Sequence, residues 1–387
     1  MKDVFDCVVV HYGEIGLKGG NRSFFERKLI DNIKLKCGDL IKSCIRETGQ
    51  ITISIDEDVD VDKLKDVLSK VPGVSYFSFA KRCELDIEKI KECALELARG
   101  KEFSSFKVET FRHEKNFPLK SPEINALVGE VIFEGLGKKV DFKKPDIVLK
   151  VEITSRFAFV SCGDVAGVGG MPTNRKQRIV ALLSGGFDSP VAAYLLMKRG
   201  CEVVLVHFMN QNQMSSSVQD KIVRIAEQLS KFQLHTKLYI VPFEAIQKEI
   251  IMKVRSDVRM LVYRKFMLRI SSAVANLEKA KFLVVGDSLS QVASQTLENL
   301  EATYDGSLKP IFSPLIGWDK TEIIALSKRI GVYEISCLPY GDCCSFFLPK
   351  HPELKSSSGL LNKIGKEFDV DSLVEDILKK VKIIEYD

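Results

Sequence analysis

The sequence predicts an α/β protein whose C-terminal half is a doubly wound parallel sheet, preceded by two small α+β units. Three observations predict it. From residue 175 to about residue 345, short apolar runs alternate with helical stretches, an order that gives parallel strands with helices on both faces. The run Ile179–Leu183 passes directly into Ser184-Gly-Gly-Phe-Asp188-Ser189-Pro190, the pattern of a central strand, a tight turn and a helix start. Upstream, period-two strands such as Ile51-Thr-Ile-Ser-Ile55 are mixed with helical segments in each of two stretches of domain size.

The bounds are ordinary. The chain has 387 residues, enough for two or three domains, and 45% hydrophobic with 28% charged residues is a soluble globular composition. No apolar run reaches the length of a membrane span and no signal-like h-region follows Met1, so a cytoplasmic protein without membrane association is expected. A net charge of +5 permits an anionic partner without requiring one. Ten cysteines without a regular framework read as reduced thiols. The dense group Cys337, Cys343 and Cys344 has no Cys-x-x-Cys pair, which argues against structural zinc.

In chain order, residues 4–10 read as a strand, Asn21 as the cap of a helix using Phe25, Leu29, Ile33 and Leu40, and 51–55 as a half-buried strand. The glycine-rich loop 11–22 carries Lys18 and Arg22, either as a plain connector or as a backbone-rich phosphate contact. Next come a helix over 61–68, a strand over 74–79, a helix over 87–98 and a strand over 106–111. Ser121-Pro122-Glu123 then serves as cap, first position and acidic residue of another helix, and 147–153 pairs with 157–161. Loop 111–120 interleaves Phe111 and Phe117 with Arg112, Lys115 and Lys120, which suits either stacking on bases with phosphate contacts or a solvated loop with its aromatics in the core.

In the C-terminal half, strands are expected at 179–183, 203–208, 238–241 and 282–285, with helices over 191–198 and 219–229 and a long helical region over 243–278. Gly185 and Gly186 offer positive-φ freedom, Pro190 suits a first helical position, and Gly200 closes the helix. Ser184 and Ser189 add hydroxyls. Asp188 would repel phosphate unless a divalent cation lay between them, so the local reading is a di- or triphosphate site with Mg²⁺ held in part by Asp188. Six cations between Lys253 and Arg269 face one acidic residue, Asp257, and need partners: protein carboxylates, a triphosphate or RNA. Asp287 is a further candidate to assist the metal. A polar helix start is expected beyond Gly286, Asp319 with Glu322 reads as a capping pair, and the tail over 355–387 reads as a linker and one helix through Leu373, Ile377 and Val381.

Ser184-Gly-Gly-Phe-Asp-Ser189 resembles the PP-loop of ATP pyrophosphatases, which cleave ATP between the α and β phosphates and adenylate a substrate oxygen. It lacks the Gly-Lys-Ser/Thr of loops that handle the γ-phosphate. Tyr12-Gly-Glu-Ile-Gly-Leu-Lys-Gly-Gly-Asn-Arg22 and the stretch 106–121 resemble the ferredoxin-like and THUMP domains of the tRNA 4-thiouridine synthetase family, the tRNA sulfurtransferases of thiamine biosynthesis. Gly163–Pro172 is similar to that family's linker. The resemblance implies a ferredoxin-like domain over 1–60, a THUMP RNA-binding domain over 61–165, a linker over 166–178 and an adenine nucleotide alpha hydrolase-like PP-loop domain over 179–387.

It further implies ATP contacts at Leu182, Leu183, Ser184, Gly185, Gly186, Ser189, Arg264, Gly286 and Gln295, with His207 and Phe208 against the base. Lys18, Arg22, Arg112, Lys115 and Lys120 would contact tRNA. The implied activity is adenylation of the uridine at position 8 of tRNA, with replacement of its O4 by sulfur and Asp188 in a catalytic role. A role in thiamine thiazole synthesis and a homodimer also come from the resemblance. Tyr340–Pro352 resembles the segment with the family's reactive cysteine, Cys343 or its neighbour Cys344. Some members append a rhodanese domain, for which the tail is too short. The sulfur source is then direct transfer from a cysteine desulfurase or another persulfide donor, or free sulfide; an iron–sulfur cluster lacks a supporting Cys-x-x-Cys. Cys37, Cys44 and Cys93 read as inert. Two rivals are another PP-loop adenylase, acting on a different tRNA base or a small acid, and a non-catalytic tRNA-binding sulfur carrier. The RNA-binding segments oppose the small acid, and the intact Ser184, Asp188 and Ser189 oppose loss of catalysis.

Overall fold

The computed structural model describes residues 5–210, 217–339 and 352–387. They form two units, divided at Pro172/Thr173.

The N-terminal unit contains β1 (Cys7–His11), α1 (Arg22–Cys37), β2 (Ser43–Arg46), β3 (Ile51–Ser54), α2 (Val61–Ser69), β4 (Tyr76–Cys83), α3 (Ile87–Arg99), β5 (Ser105–Arg112), α4 (Ser121–Leu136), β6 (Lys139–Val140), β7 (Ile147–Ile153), β8 (Ala158–Cys162) and β9 (Val165–Ala166). Its strands join one sheet in the order β2-β3-β1-β4-β8-β7-β5-β6, with β9 beside β4. Strand β4 unites the two halves. Its first part pairs with β1 and its end with β8, both antiparallel. Among the described residues one core gathers around Val8, Val10, Leu29, Ile33, Ile53 and Phe77, another around Ile90, Phe106, Ile124, Val128, Leu149 and Val151, and a small third around Cys7, Val9, Ala80 and Phe159.

The C-terminal unit contains β10 (Asn174–Leu182), α5 (Asp188–Lys198), β11 (Cys201–Met209), α6 (Ser217–Ser230), β12 (Thr236–Pro242), α7 (Glu244–Lys253), α8 (Arg259–Leu277), β13 (Leu283–Val284), α9 (Leu297–Tyr304), β14 (Ile311–Phe312), α10 (Lys320–Arg329), α11 (Tyr333–Cys337), α12 (Ser358–Gly365), α13 (Val370–Leu378) and β15 (Lys382–Tyr386). The sheet order is β14-β13-β10-β11-β12-β15. All neighbours are parallel except β15, which closes the β12 edge in antiparallel fashion. Strand β11 is buried over nearly its whole length, as a central parallel strand covered on both faces should be. Strand order reverses at β10, which has β11 on one side and β13 on the other. The crevice beyond the carboxyl ends of β10 and β13 is therefore the topological switch point, where open α/β sheets bind ligands.

Several local expectations are corrected. Pro190 is the third residue of α5, not the first; its missing N–H still costs nothing, because the first four helical N–H groups have no intrahelical acceptor. The cap of α4 is Lys120, one residue before Ser121, with Glu123 accepting from the Lys120 N–H at 2.6 Å. Asn21 occupies the cap position of α1 but makes no side-chain cap bond, because two 3-10 turns, Glu14–Leu17 and Gly19–Asn21, already lead into the helix. The helical region over 243–278 breaks between α7 and α8, where Arg259 donates to the carbonyls of Ile251 and Val254. The segment after Gly286 is a loop with a 3-10 turn at Ala293–Gln295, and helix begins only at Leu297, capped by Thr296. The tail forms two helices and β15, with Val381 outside the helix. Asp319 and Glu322 do form a reciprocal capping box at α10.

Candidate nucleotide site

A cavity of about 300 Å³ opens at the switch point. Of the implied ATP contacts, Leu182, Leu183, Ser184, Ser189, His207, Phe208, Arg264, Gly286 and Gln295 line it together with Asp188, and Met260, Met267 and Leu268 add an apolar wall from α8. Gly185 and Gly186 belong to the turn but are not among the lining residues. Neither has a positive φ, so the turn does not use the left-handed freedom the sequence suggested. Its shape comes from a serine latch. Ser184 N–H donates to Ser189 Oγ at 2.7 Å, and the two hydroxyl oxygens lie 2.9 Å apart.

Gly286 is needed for a different reason than the loop glycines. A Cβ there would stand 2.6 Å from Ser189 N and 2.8 Å from Asp188 C, so β13 meets the start of α5 backbone to backbone. This close approach lets the Ser184–Ser189 turn and the Asp287 segment share one cavity.

His207, at the end of β11, is buried, and its Nδ1 lies 2.8 Å from Leu183 O. Phe208 is buried beside it and packs edge-on against Phe243. Asp188 has two partners the sequence gave no sign of. Lys320 Nζ, at the first turn of α10, sits 2.6 Å from Oδ1, and Gln291 Nε2 donates to Oδ2 at 3.0 Å. Asp188 stands in the turn itself, and Asp287 lines the same cavity. One carboxylate completed by substrate phosphates is a usual Mg²⁺ donor set, and a carboxylate keeps lone pairs for a metal beside two such partners.

Asp287 is arranged otherwise. It is 4% exposed and accepts from Arg264 Nη2 at 2.6 Å, Tyr304 OH at 2.8 Å and Gln295 Nε2 at 3.0 Å. Burial alone would raise its carboxyl, but the Arg264 charge and the three hydrogen bonds outweigh that and hold it below the usual carboxylate range. With three donors already on it, Asp287 reads as a hub for side chains, not as a metal ligand. The other cations around α8 also have protein partners: Lys253 with Glu249, Arg255 with Asp257, Lys265 with Asp305 and Arg269 with Asp371. Five of the six cations thus have carboxylate partners, and Arg259 has backbone carbonyls instead. Among the described residues no group of three or more His, Cys, Asp or Glu could hold a metal ion.

The family model of thiamine biosynthesis protein ThiI matches residues 174–370, its ferredoxin-like domain matches 7–78, and the THUMP domain matches 84–162. The chain belongs to the ThiI family. A probable tRNA sulfurtransferase of Thermoanaerobacter sp. is 42% identical over 97% of this chain and 99% of its own length. That of Thermoanaerobacter pseudethanolicus is 39% identical over the same shares. A 4-thiouridine synthetase crystallised with RNA and bound ATP superposes with a TM-score of 0.89 at 34% identity, covering 99% of this chain and all of that one.

In this ThiI-family chain the cations expected to meet tRNA differ in how they are held. Arg22 is bound into its own unit. Its Nε donates to the buried Glu26 at 2.8 Å and its Nη2 to Tyr12 OH at 2.7 Å, while Tyr12 also bonds Glu26 and Arg46 reaches the same carboxylate. Arg112 donates to the carbonyls of Lys115 and Phe117 and so braces its loop from within. Lys18 lies over the Phe25 ring, and Lys115 and Lys120 are exposed. Of the two loop aromatics, Phe117 goes into the core and Phe111 stays 46% exposed.

Beside these loops sequence reading missed a bridge. The buried Glu152 on β7 meets His11 Nε2 at 3.1 Å and His113 Nε2 at 3.3 Å, joining the end of β1 to the loop after β5. Glu152 lies 141 residues from one partner and 39 from the other, beyond any local pattern. Cys37, Cys44 and Cys93 are buried, and burial pushes the Cys37 and Cys44 thiols up to about 12. Cys337 is exposed. Cys343 and Cys344 lie outside the described residues. Among the described residues no helix is long and apolar enough to cross a membrane.

Proposed function

We propose that the chain is an ATP-dependent tRNA sulfurtransferase that converts the uridine at position 8 of tRNA to 4-thiouridine. The observation that carries this reading is the switch-point cavity, where the Ser184–Ser189 turn, Asp188, Arg264 and Gln295 converge at the start of a helix. The positive end of the α5 dipole suits phosphate oxygens at the turn that holds Gly185 and Gly186. The apolar wall with His207 and Phe208 suits the adenine. Uridine O4 attacks the α-phosphorus as the bond to the β-phosphate bridging oxygen breaks, and pyrophosphate leaves. Sulfide, or the terminal sulfur of a persulfide, then attacks C4, and AMP departs with the former O4. With a persulfide, a second thiolate breaks the S–S bond. Asp188 would hold Mg²⁺, which supplies charge neutralisation for the departing pyrophosphate.

Cys343 or Cys344 is the proposed sulfur carrier, loaded by a cysteine desulfurase or another donor. What supports that reading is the likeness of the stretch 340–352 to the family's reactive-cysteine segment. Lys18, Arg22, Arg112, Lys115 and Lys120 are proposed to meet tRNA, Lys115 and Lys120 as phosphate contacts and the arginines as supports of their loops. A cytoplasmic homodimer and a second role in thiamine biosynthesis complete the proposal. The test is nucleoside mass spectrometry on an unmodified tRNA transcript incubated with protein, ATP, Mg²⁺ and sulfide, beside Asp188→Ala. A 4-thiouridine peak that requires ATP and the wild-type protein is expected. Absence of both thiolated nucleoside and tRNA-stimulated pyrophosphate release would overturn the reading.

A further inference from the structure

We propose that His113 is a positioning residue for RNA binding: seated between Gly49 and the buried carboxylate of Glu152, it fixes the loop that carries Lys115 against the ferredoxin-like half, so that Lys115 meets a backbone phosphate of the RNA. The inference rests on the tRNA reading of this loop and adds what holds its cation in place.

The post to which the loop is tied is built into the sheet. His11 ends β1, which pairs with β3 on one side and β4 on the other, and its ring stacks on Tyr76 with centroids 4.4 Å apart. Glu152 stands in β7, between β5 and β8. It gives one carboxylate oxygen to His11 Nε2 and the other to His113 Nε2. An ionised carboxylate only accepts hydrogen bonds, so each histidine carries a proton on its Nε2. His113 is held by its backbone as well, its N–H donating to Ile153 O at 2.9 Å. The other side of its ring lies against the turn between β2 and β3, where a Cβ on Gly49 would stand 2.9 Å from His113 Nδ1. Gly49 has φ +84°, which glycine adopts without strain. His113 thus touches both halves of the N-terminal unit at once. Beyond it the loop is braced from within. Glu114 Oε1 accepts from the N–H groups of Lys115 and Asn116, and Arg112 donates to the carbonyls of Lys115 and Phe117. A loop stiff in itself and tied at His113 goes where that tie puts it, and Lys115 stands exposed two residues further on.

The experiment is fluorescence anisotropy of an unmodified tRNA transcript with the full chain at several salt concentrations, beside melting curves that show each variant to be folded. Lys115→Ala should weaken binding about fivefold and lower the salt slope by about one, as expected for one lost phosphate contact. His113→Phe keeps a ring of similar size but cannot bond Glu152, and it should reproduce both changes. In the double variant the second substitution should add less than about twofold, because both remove the same contact. Lys18→Ala, on the other loop, should keep in the His113→Phe background the effect it has in the wild type. His113→Gln returns an N–H donor toward Glu152 and should restore affinity, salt slope and the Lys115 effect. A role for His113 in stacking directly on a base predicts the reverse order, with His113→Phe retained and His113→Gln weakened. Gly49→Ala presses on the ring from the other side, should show the same loss and the same dependence on Lys115, and serves if His113→Phe does not fold. Wild-type affinity and slope in folded His113→Phe or Gly49→Ala, a loss undiminished when Lys115 is already replaced, or the reverse order of the two His113 variants overturns the positioning role. Lys115→Ala with wild-type affinity and slope overturns instead the reading of this loop as a tRNA contact.

Discussion

Gly286→Ala puts the cavity's construction to a direct test, because its effect follows from backbone geometry alone. The added Cβ would lie 2.6 Å from Ser189 N, 2.8 Å from Asp188 C and 2.8 Å from Ser189 Cα. Ordinary carbon contacts begin near 3.4 Å, so the end of β13 and the start of α5 must separate by about 0.8 Å. No flexible side chain can absorb this, since all three atoms are backbone. Overpacking of this kind costs about 1–3 kcal/mol, or a melting shift of roughly 2–4 °C per kcal/mol in a domain of this size. The functional loss should be larger, because a displacement of ~1 Å in a reacting arrangement costs about 10²-fold in rate. The assay is tRNA-stimulated pyrophosphate release together with thermal melting. Gly186→Ala is the stability control. Its Cβ would meet only Ser184 Oγ at 3.7 Å and no positive φ is involved, so its melting temperature should stay near wild type. Gly286→Ala with wild-type melting and wild-type pyrophosphate release would refute the claim that backbone approach builds the site.

Lys320→Met should cut kcat about 10²-fold by removing a cation aimed at Asp188, while the half-exposed pair contributes too little for unfolding in urea to register a change beyond ~1 kcal/mol. Burial alone would raise the Glu152 carboxyl, but His11 and His113 outweigh it and bring it down to about 2. A folded pKa below the unfolded one of about 4.3 gives stability present above pH 4.3 and lost as pH falls toward 2, worth about 3 kcal/mol in full. The melting-temperature gap between wild type and Glu152→Gln should therefore narrow across that window, and a gap independent of pH would contradict it. Iodoacetamide at pH 8 should alkylate exposed Cys337 and spare Cys37 and Cys44, as peptide mapping would report.

What the sequence made legible was local. The strand-to-turn junction at Ser184, the capping box at Asp319 and the α2 and α3 helices all rest on residues within a few positions of one another, where period and capping chemistry act. The partners of Asp188 escaped because Lys320 is 132 positions away and Gln291 is 103, and neither stands in a pattern that marks it. The β15 edge escaped too. Lys382-Ile-Ile-Glu-Tyr386 is a strand because β12 offers it an open antiparallel edge, not because its own alternation demands one. The glycines of the turn were read correctly in position and wrongly in physics, for positive φ is a property of the backbone and no residue type reveals it.

The same distinction explains why Asp287 looked like a metal candidate. In sequence it is a carboxylate after a strand, beside a phosphate-binding loop, and that description fits a ligand for Mg²⁺ as well as it fits a hub. Only the tertiary fold brings Arg264, Gln295 and Tyr304 to it. Two nearby acidic residues thereby take opposite duties. Asp188 is 22% exposed at the side chain, pairs with a Lys320 that is itself 42% exposed and lines the cavity, so under the proposed reading it stays open to a cation. Asp287 is sealed at 4% exposure, and a divalent ion there would have to displace an arginine already bound at 2.6 Å. A metal therefore favours Asp188, and Mg²⁺ should strengthen ATP binding to Asp287→Asn by the same factor as to wild type, whereas Asp188→Asn should lose that dependence. Equal loss of the Mg²⁺ effect in both variants would show that the two carboxylates share the ion.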